Sequence, residues 1–411
     1  MRAAMLNAGL ARARALALTL LITLPAPAGL AQVVEAAPLD DLIAAATAGG
    51  PLAQRKLGQR YHDGDGVLQN FATAAQWFGR AAEAGDAEAQ NRLGRYYHSG
   101  LGYEHDPDRA RHWLEAAAAQ GDPDHIFDLA AVLEPSDPEQ AAALYAQAAD
   151  AGHMDAAVSL GVLFQNGNGV TQDTARALQL YEAPAAVGHP RAQNNLGLLY
   201  VRGTGAPQDY DRAAKLFAAA ADQGLGTAMT NLGVMYENGF GVPQSDDEAA
   251  RLYRMAGELE RTEADAAQAF VYDARLQPLD PGMLSGVARM ARTGDPVAQF
   301  QLGWALVSAE APQPPHWAQA ARLFQAAADR GHAPSMTNLG LLYVRGLGVP
   351  QDYVLGQMWL VLAATAGLPD ATLSSSALRR KMTPEQINEA QSRATQAWQK
   401  AQEDAIVFDI R

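Results

Sequence analysis

The sequence has 411 residues, of which 48% are apolar, 18% are charged and 7% are aromatic, and it contains no cysteine. This apolar content is typical of a folded globular chain and excludes a disordered one. Without cysteine the chain can form no disulfide, thiolate zinc site, iron–sulfur cluster or thiol nucleophile. A formal net charge of -14 argues against nucleic acid as a partner, because phosphate binding needs a basic surface.

The first 31 residues have the three-part order of a secretory signal peptide. Arg2, Arg12 and Arg14 supply positive charge, residues 15–24 are an apolar core, and small residues precede position 32. The core is too short to cross a bilayer, which needs about 20 residues. We therefore expect an exported protein, periplasmic or secreted, with no membrane span.

A repeat dominates the rest of the sequence. Leucine, in most cases followed by glycine, recurs in steps of 36, 36, 31, 36, 36, 70 and 37 residues, and a second series of glycines keeps the same phase. The leucines are Leu57, Leu93, Leu129, Leu160, Leu196, Leu232, Leu302 and Leu339, and the glycines are Gly85, Gly121, Gly152, Gly188, Gly224, Gly294, Gly331 and Gly367. A leucine series and a glycine series that keep a constant offset from each other indicate structural units repeated in tandem.

The unit at 196–231 predicts two helices joined by a turn. Apolar residues at helical spacing form the first helix, which the glycines and proline of 203–209 (GTGAPQD) end. Asp209 can cap the second helix, because its carboxylate accepts from unpaired N–H groups. Such a hairpin cannot bury both of its faces, so stability must come from stacked neighbours.

The combined pattern resembles the Sel-1-like repeat, a relative of the tetratricopeptide repeat. The turn motif carries much of this resemblance, as in GTGAPQD at 203–209 and GLGVPQD at 346–352. The resemblance covers about 38–400. It implies an all-α fold, a right-handed α-solenoid of stacked helix–turn–helix repeats. It also implies a scaffold that binds a protein or peptide partner without catalysis, as an adaptor or regulator.

Breaks in the period divide the chain. We predict a repeat array at 38–256, a degenerate repeat or hinge at 257–282, further repeats at 283–370, capping helices at 371–403 and a tail at 404–411. The segment 257–282 has two prolines and no glycine turn. It is either a degenerate repeat that changes the path of the solenoid or an insertion that binds a partner. Thr383 begins a capping-box pattern with Gln386, which predicts the start of the last helix.

No arrangement of residues predicts catalysis, a cofactor or a metal site. The sequence lacks the zinc-protease, serine-hydrolase and P-loop motifs. His62, His98, His105 and His112 could lie near one another on neighbouring repeats, but their spacing is not that of paired metal ligands. Two alternatives to a protein scaffold remain: a glycan-binding factor of exopolysaccharide or envelope assembly, and a weak β-lactam-binding hydrolase. The resemblance implies both, because some relatives support exopolysaccharide secretion and cysteine-rich relatives are reported to bind or hydrolyse β-lactams.

The candidate partner-binding residues occupy two repeat positions on the first helices, which line the concave side of a curved stack. Asn195, Asn231 and Asn338 directly precede the repeat leucine, and Asn166, Arg202, Asn238 and Arg345 lie six positions after it. The first set resembles the groove asparagine of tetratricopeptide repeats, which holds extended peptides. Amides can bind a peptide backbone, and guanidinium groups can bind carboxylates. Alternatively, the asparagines bond to neighbouring turns and stiffen the stack.

Overall fold

The computed structural model of the protein describes residues 38–266, 269–309 and 312–404. These residues form 20 α-helices, one 3₁₀ turn (Pro281–Met283) and no strand. The helices are α1 (Leu39–Thr47), α2 (Pro51–Asp63), α3 (Phe71–Glu83), α4 (Ala87–Ser99), α5 (Pro107–Ala118), α6 (Pro123–Leu133), α7 (Pro138–Asp150), α8 (Met154–Asn166), α9 (Thr174–Ala186), α10 (Pro190–Arg202), α11 (Tyr210–Ala221), α12 (Gly226–Asn238), α13 (Asp246–Ala266), α14 (Leu284–Arg292), α15 (Pro296–Val307), α16 (Pro314–Ala328), α17 (Ala333–Arg345), α18 (Tyr353–Thr365), α19 (Pro369–Arg379) and α20 (Pro384–Glu403). The predicted signal peptide, and the tail after Asp404, lie outside the described residues.

Each repeat is a helical hairpin, as α10 and α11 show for the predicted unit. Gly203 ends α10 with φ 65°, and Gly205 follows with φ 79°, so the turn uses the left-handed conformation that glycine permits. The Asp209 side chain then accepts from the N–H of Arg212 and caps α11. The predicted all-α repeat fold is confirmed.

The glycine of the Leu-Gly pair lets the two helices of a hairpin approach closely. An added Cβ on Gly197 would lie 2.8 Å from the ring of Phe217, which is 1% exposed. The same relation joins Gly161 to Tyr181 and Gly303 to Phe324. The large residues on the second helices are therefore core residues, packed against the backbone of the first helix.

The repeat pattern is interrupted after α13. Residues 269–280 form no helix, although Leu276 N–H bonds to the carbonyl of Asp273 in a turn. Helix α14 then restores the repeat, with Val287 buried. Segment 269–280 takes the place of a first helix and packs against the repeats that follow it.

The last helix, α20, contacts the beginning of the array as well as its end. Its capping box at Thr383 is present as predicted. Ile387 on α20 belongs to the same apolar cluster as Phe71 on α3. The two ends of the described array are therefore in contact. Within the described ranges, no helix is both long and apolar enough to cross a bilayer.

Candidate functional site

A hydrogen bond between side chains links some neighbouring first helices. One partner is the residue two positions before the repeat leucine of the earlier helix. The other partner is the residue directly before the repeat leucine of the later helix. Asn91 Nδ2 on α4 donates to Asp128 Oδ2 on α6 at 2.8 Å. Asn231 Nδ2 on α12 donates to Asn194 Oδ1 on α10, also at 2.8 Å. Asn231 thus holds two repeats together.

Asn338 makes a different pair of bonds, because the residue that would face it on α15 is Phe300. Its Oδ1 accepts from the N–H of Val271 at 2.7 Å, and its Nδ2 donates to the carbonyl of Val271 at 2.8 Å. Asn338 is 0% exposed. One side-chain amide therefore pairs with both polar groups of a residue in segment 269–280, as a neighbouring strand would.

The two hydrogen bonds between Asn338 and Val271 are here called the clamp. Aromatic side chains of segment 269–280 flank it. The guanidinium carbon of Arg345 lies 4.7 Å from the ring centroid of Phe270, a cation–π contact. Burial lowers the pKa of Arg345. The ring of Phe270 also stacks on Trp317 at the start of α16, with centroids 5.8 Å apart.

Tyr272 points its ring at α15. Its centroid lies 5.7 Å from that of Phe300 and 5.1 Å from that of Trp304. The Tyr272 hydroxyl donates to the carbonyl of Gln277 within the segment. The aromatic pocket is therefore built from two residues of α15. Phe300 stands where other repeats have a polar partner for the asparagine, and Trp304 lies one helical turn later.

Asp273 is the buried acidic group of the segment, at 3% exposure. Arg275 binds its carboxylate with two nitrogens at 2.8 Å, and Nε2 of His332 lies 3.3 Å away. The hydrogen bond from Arg275 lowers the pKa of Asp273, which therefore stays ionised. The ionised side chain accepts bonds from both neighbours.

The contact between Asp273 and His332 replaces a bond between repeats. His189 caps α10 through Nδ1 and places Nε2 3.2 Å from Asp155, the second residue of α8. His332 likewise caps α17, but the second residue of α15 is Val297, which has no carboxylate. Asp273 supplies the missing acid. Segment 269–280 thus satisfies two positions, Asn338 and His332, that a regular preceding repeat would satisfy.

Helix α10 and its turn repeat the sequence of α17 and its turn. Residues 194–210 and 337–353 differ only at the first, eleventh and thirteenth positions. Asn195 corresponds to Asn338, and the residue that faces it from α8 is the apolar Val158, which is fully buried. The α8–α10 groove, defined by Asn195, Leu198 and Arg202, therefore has the elements of a clamp.

The α8–α10 groove differs from the α17 site in exposure. Asn195 and Leu198 are partly exposed and Arg202 is exposed, whereas Asn338 and Leu341 are buried. Asn195 accepts a long bond, 3.4 Å, from Asn194. Burial raises the pKa of Tyr181, and the nearby Asn195 amide opposes that rise. An amide offers two donors and two acceptor lone pairs, so Asn195 keeps capacity for a further donor and acceptor.

The remaining candidates are not brought into either clamp. Asn166 and Asn238 are exposed at the ends of α8 and α12, and Asn238 donates to the carbonyl of Val234 in its own helix. The repeat pattern predicted neither the pair of Asp273 and His332 nor the aromatic pocket of Phe300 and Trp304. An available signal was the run FVYD at 270–273, which is unusually aromatic for a turn.

The histidines considered as metal ligands have other contacts. His62 Nδ1 lies 2.6 Å from the Tyr96 hydroxyl, and burial lowers the pKa of His62. His105 Nδ1 lies 2.6 Å from the carbonyl of His98. In the part of the chain that the structure describes, no three His, Asp or Glu residues form a group able to hold a metal ion.

Comparison with known proteins identifies the repeat. The model of the Sel1 repeat matches residues 51–86, 87–122, 132–153, 155–189, 190–225, 226–260, 318–332 and 333–368. The chain is similar to the crystal structure of c5321, a protective antigen of uropathogenic Escherichia coli with an SLR fold (26% identity, 89% of each chain, TM-score 0.49). It is also similar to a Sel1 repeat protein from Oxalobacter formigenes (31% identity, 53% of this chain and 87% of that chain, TM-score 0.48). No curated protein matches.

The eight matched stretches cover more than half of the chain and coincide with the helical hairpins. They confirm the resemblance drawn from the turn motif and the Leu-Gly pairs. Sel1 repeat proteins are generally scaffolds for protein–protein interaction, and their fold is typically a non-catalytic binding surface. The chain belongs to the Sel1 repeat family.

Proposed function

We propose that this protein is an exported, non-catalytic scaffold that binds an extended segment of a partner protein in the α8–α10 groove, in an adaptor or regulatory role in the periplasm. The observation that carries the proposal is the clamp of Asn338 on Val271. There, the same helix sequence already holds a peptide segment. Asn195 on α10 would use the same chemistry, because the corresponding surface there is at least partly exposed.

Three groups of the groove lie on one face of α10, because Asn195, Leu198 and Arg202 are spaced by three and four residues. Asn195 would pair with a backbone amide, and Leu198 would contact an apolar side chain. Arg202 would lie over an aromatic ring, as Arg345 does over Phe270, or bind a carboxylate. The expected ligand is therefore an extended peptide with an aromatic or acidic residue next to the clamped position.

Site-specific photo-crosslinking tests the proposal in the native cell envelope. Leu198 would be replaced by p-benzoylphenylalanine, and Lys215, an exposed residue of the second helix α11, would be replaced in a matched control. We expect a discrete cross-linked protein from position 198 and none from position 215. Asn195→Ala should reduce its yield. Equal cross-linking at both positions, or none at 198, would contradict groove binding.

Export has its own test. The charged, apolar and small-residue parts of 1–31 support removal of a signal peptide before Gln32. Mass spectrometry of the protein recovered by osmotic shock should give an N-terminus at Gln32. Recovery of uncleaved protein with the cytoplasmic fraction would exclude the periplasmic role.

A second candidate, glycan binding, has one supporting observation. A cavity of about 430 Å³ lies between α20 and the turn after α4, and its lining includes Tyr103, Asn388 and Thr395. Gln391 also lines it, is 3% exposed, and has no hydrogen-bond partner for Nε2 among the described residues. Amides, hydroxyls and an aromatic ring suit a saccharide. Titration with envelope oligosaccharides, monitored by NMR, should broaden Tyr103 ring signals if this candidate is correct.

A further inference from the structure

The end of the sequence repeats the pattern of the segment held by Asn338. Residues 270–275 are FVYDAR, and residues 406–411 are IVFDIR. Valine, aspartate and arginine are identical at the second, fourth and sixth positions. The first position is a large apolar residue in both stretches, and the third is aromatic. Residues 405–411 lie outside the described part of the chain, so the likeness is one of sequence.

The groove that holds 270–275, here called the α15–α17 groove, is defined by Phe300, Trp304, His332, Asn338 and Arg345. Its contacts correspond to the shared positions. Asn338 bonds only to the backbone at the second position, so it accepts any residue that is not proline. Phe300 and Trp304 contact the ring at the third position, which phenylalanine also provides.

The charged positions of the motif are matched as well. His332 faces the buried carboxylate at the fourth position, and the arginine at the sixth position folds back onto that carboxylate. Asp409 and Arg411 have the same spacing as Asp273 and Arg275. The first position lies against Trp317 and Arg345, where an isoleucine can pack against the indole ring.

We propose that residues 406–411 bind in the α15–α17 groove in place of 270–275, and that the two stretches exchange there. The outer side of the bound stretch lies at the surface, with Ala274 and Gln277 exposed, so a competing stretch can approach it there and cover the groove as the resident one leaves. Binding of the tail then frees 269–280 from the repeats. This inference concerns a different groove from the one in the proposed function.

A peptide titration tests the exchange. The chain from 32 onward, with Phe408→Ala and Asp409→Ala in its own tail to remove the competing copy, would be titrated into fluorescein-labelled peptide 404–411. Fluorescence anisotropy should show saturable binding. Phe408→Ala or Asp409→Asn in the peptide should weaken it at least tenfold. Tyr272→Ala in the chain, which loosens the resident stretch, should strengthen it at least tenfold.

Competition provides a test that leaves the groove unmutated. Excess unlabelled peptide 269–276 should displace the tail peptide, and the same residues in reversed order should not. Arg202→Ala, in the other groove, should leave binding unchanged. Absence of saturable binding to the Tyr272→Ala chain, or equal competition by the reversed peptide, would overturn the proposal.

Release of the resident stretch can be measured directly, because the sequence has no native cysteine. A spin label on Ala274→Cys, an exposed position, should give a more mobile spectrum when peptide 404–411 is added. An unchanged spectrum at saturating peptide would show that the tail binds elsewhere. Neither result depends on the envelope partner, so this proposal and the proposed function can fail separately.

Discussion

The backbone N–H of Phe71, at the start of α3, donates to Oε1 of Gln391 on α20 at 2.8 Å, although 320 positions separate the two residues. The first N–H groups of a helix have no partner within that helix. Here the last helix of the array supplies one. Asn388 adds two bonds nearby, accepting from the N–H of Gly102 and donating to the carbonyl of Gly100.

Asn388→Ala should destabilise the protein, because it removes both bonds between α20 and the turn after α4. The expected loss is about 1–3 kcal/mol, the combined value of two partly buried hydrogen bonds. Arg393→Ala is the control on the same helix, since Arg393 makes only an exposed pair with Glu389 among its described contacts. Urea unfolding followed by circular dichroism measures both. Equal midpoints for the two variants would show that the two bonds of Asn388 add no stability.

Gly205→Ala should cost more than Gly224→Ala, although both glycines have positive φ. Alanine in that conformation costs roughly 1–2 kcal/mol at either site. At Gly205 the added Cβ would also overlap the carbonyl of Thr174 in the preceding repeat, whereas at Gly224 no atom lies within 4 Å. A thermal melt of each variant separates the two effects. Equal melting temperatures for the two variants would show that the close approach of Gly205 to the preceding repeat does not contribute to stability.

The repeat and its helix boundaries could be predicted because they depend on residues close in sequence. Asp209 and Thr383 cap the helices they were expected to cap. The clamp could not be predicted, since the role of Asn338 depends on Phe300 one repeat earlier and on a segment outside the repeat pattern. Contact between Asn388 and the turn after α4 likewise joins residues that no local pattern relates.

The bond between His125 and Glu88 should make stability depend on pH. Hydrogen bonds from His125 and from Arg92 lower the pKa of Glu88 to about 2, and the bond to Glu88 raises the pKa of His125. The lowered carboxyl stabilises the fold above about pH 4.5 and loses this effect as the pH falls toward 2. The raised histidine stabilises it below about pH 6.5 and loses this effect as the pH rises through its folded pKa. Asp122 and Asp128 also raise the pKa of His125, so they widen this range.

The melting temperature of Glu88→Gln, compared with the parent chain from pH 3 to 9, checks this dependence. The difference should be largest between about pH 4.5 and 6.5 and should correspond to about 1 kcal/mol or less, because Glu88 is partly exposed. His62→Gln is a contrasting variant, because burial lowers the pKa of His62. Its difference from the parent should change in the opposite direction, with the parent losing stability relative to the variant as the pH falls below about 6.5. A constant difference across the range would mean that the pair does not ionise as a unit.

Asn195→Ala and Asn231→Ala should affect different properties, although both asparagines occupy the same repeat position. The first should mainly reduce partner cross-linking, and the second should mainly reduce stability. Asn231 donates to Asn194 at 2.8 Å, so its loss should lower the free energy of unfolding by about 1 kcal/mol and leave partner cross-linking at position 198 nearly intact. Asn195 makes only a long bond to Asn194 and a contact with Tyr181, so its loss should affect stability less.

The effect of Asn195→Ala on cross-linking at position 198 should be the larger one, because a backbone clamp is removed from the groove. Measuring unfolding and cross-linking for both variants separates a residue that holds repeats together from one that holds a ligand. If Asn231→Ala abolishes cross-linking while Asn195→Ala does not, the ligand lies on α12 rather than α10. An apolar residue opposite the asparagine, such as Val158 opposite Asn195, would then not indicate a peptide-binding position.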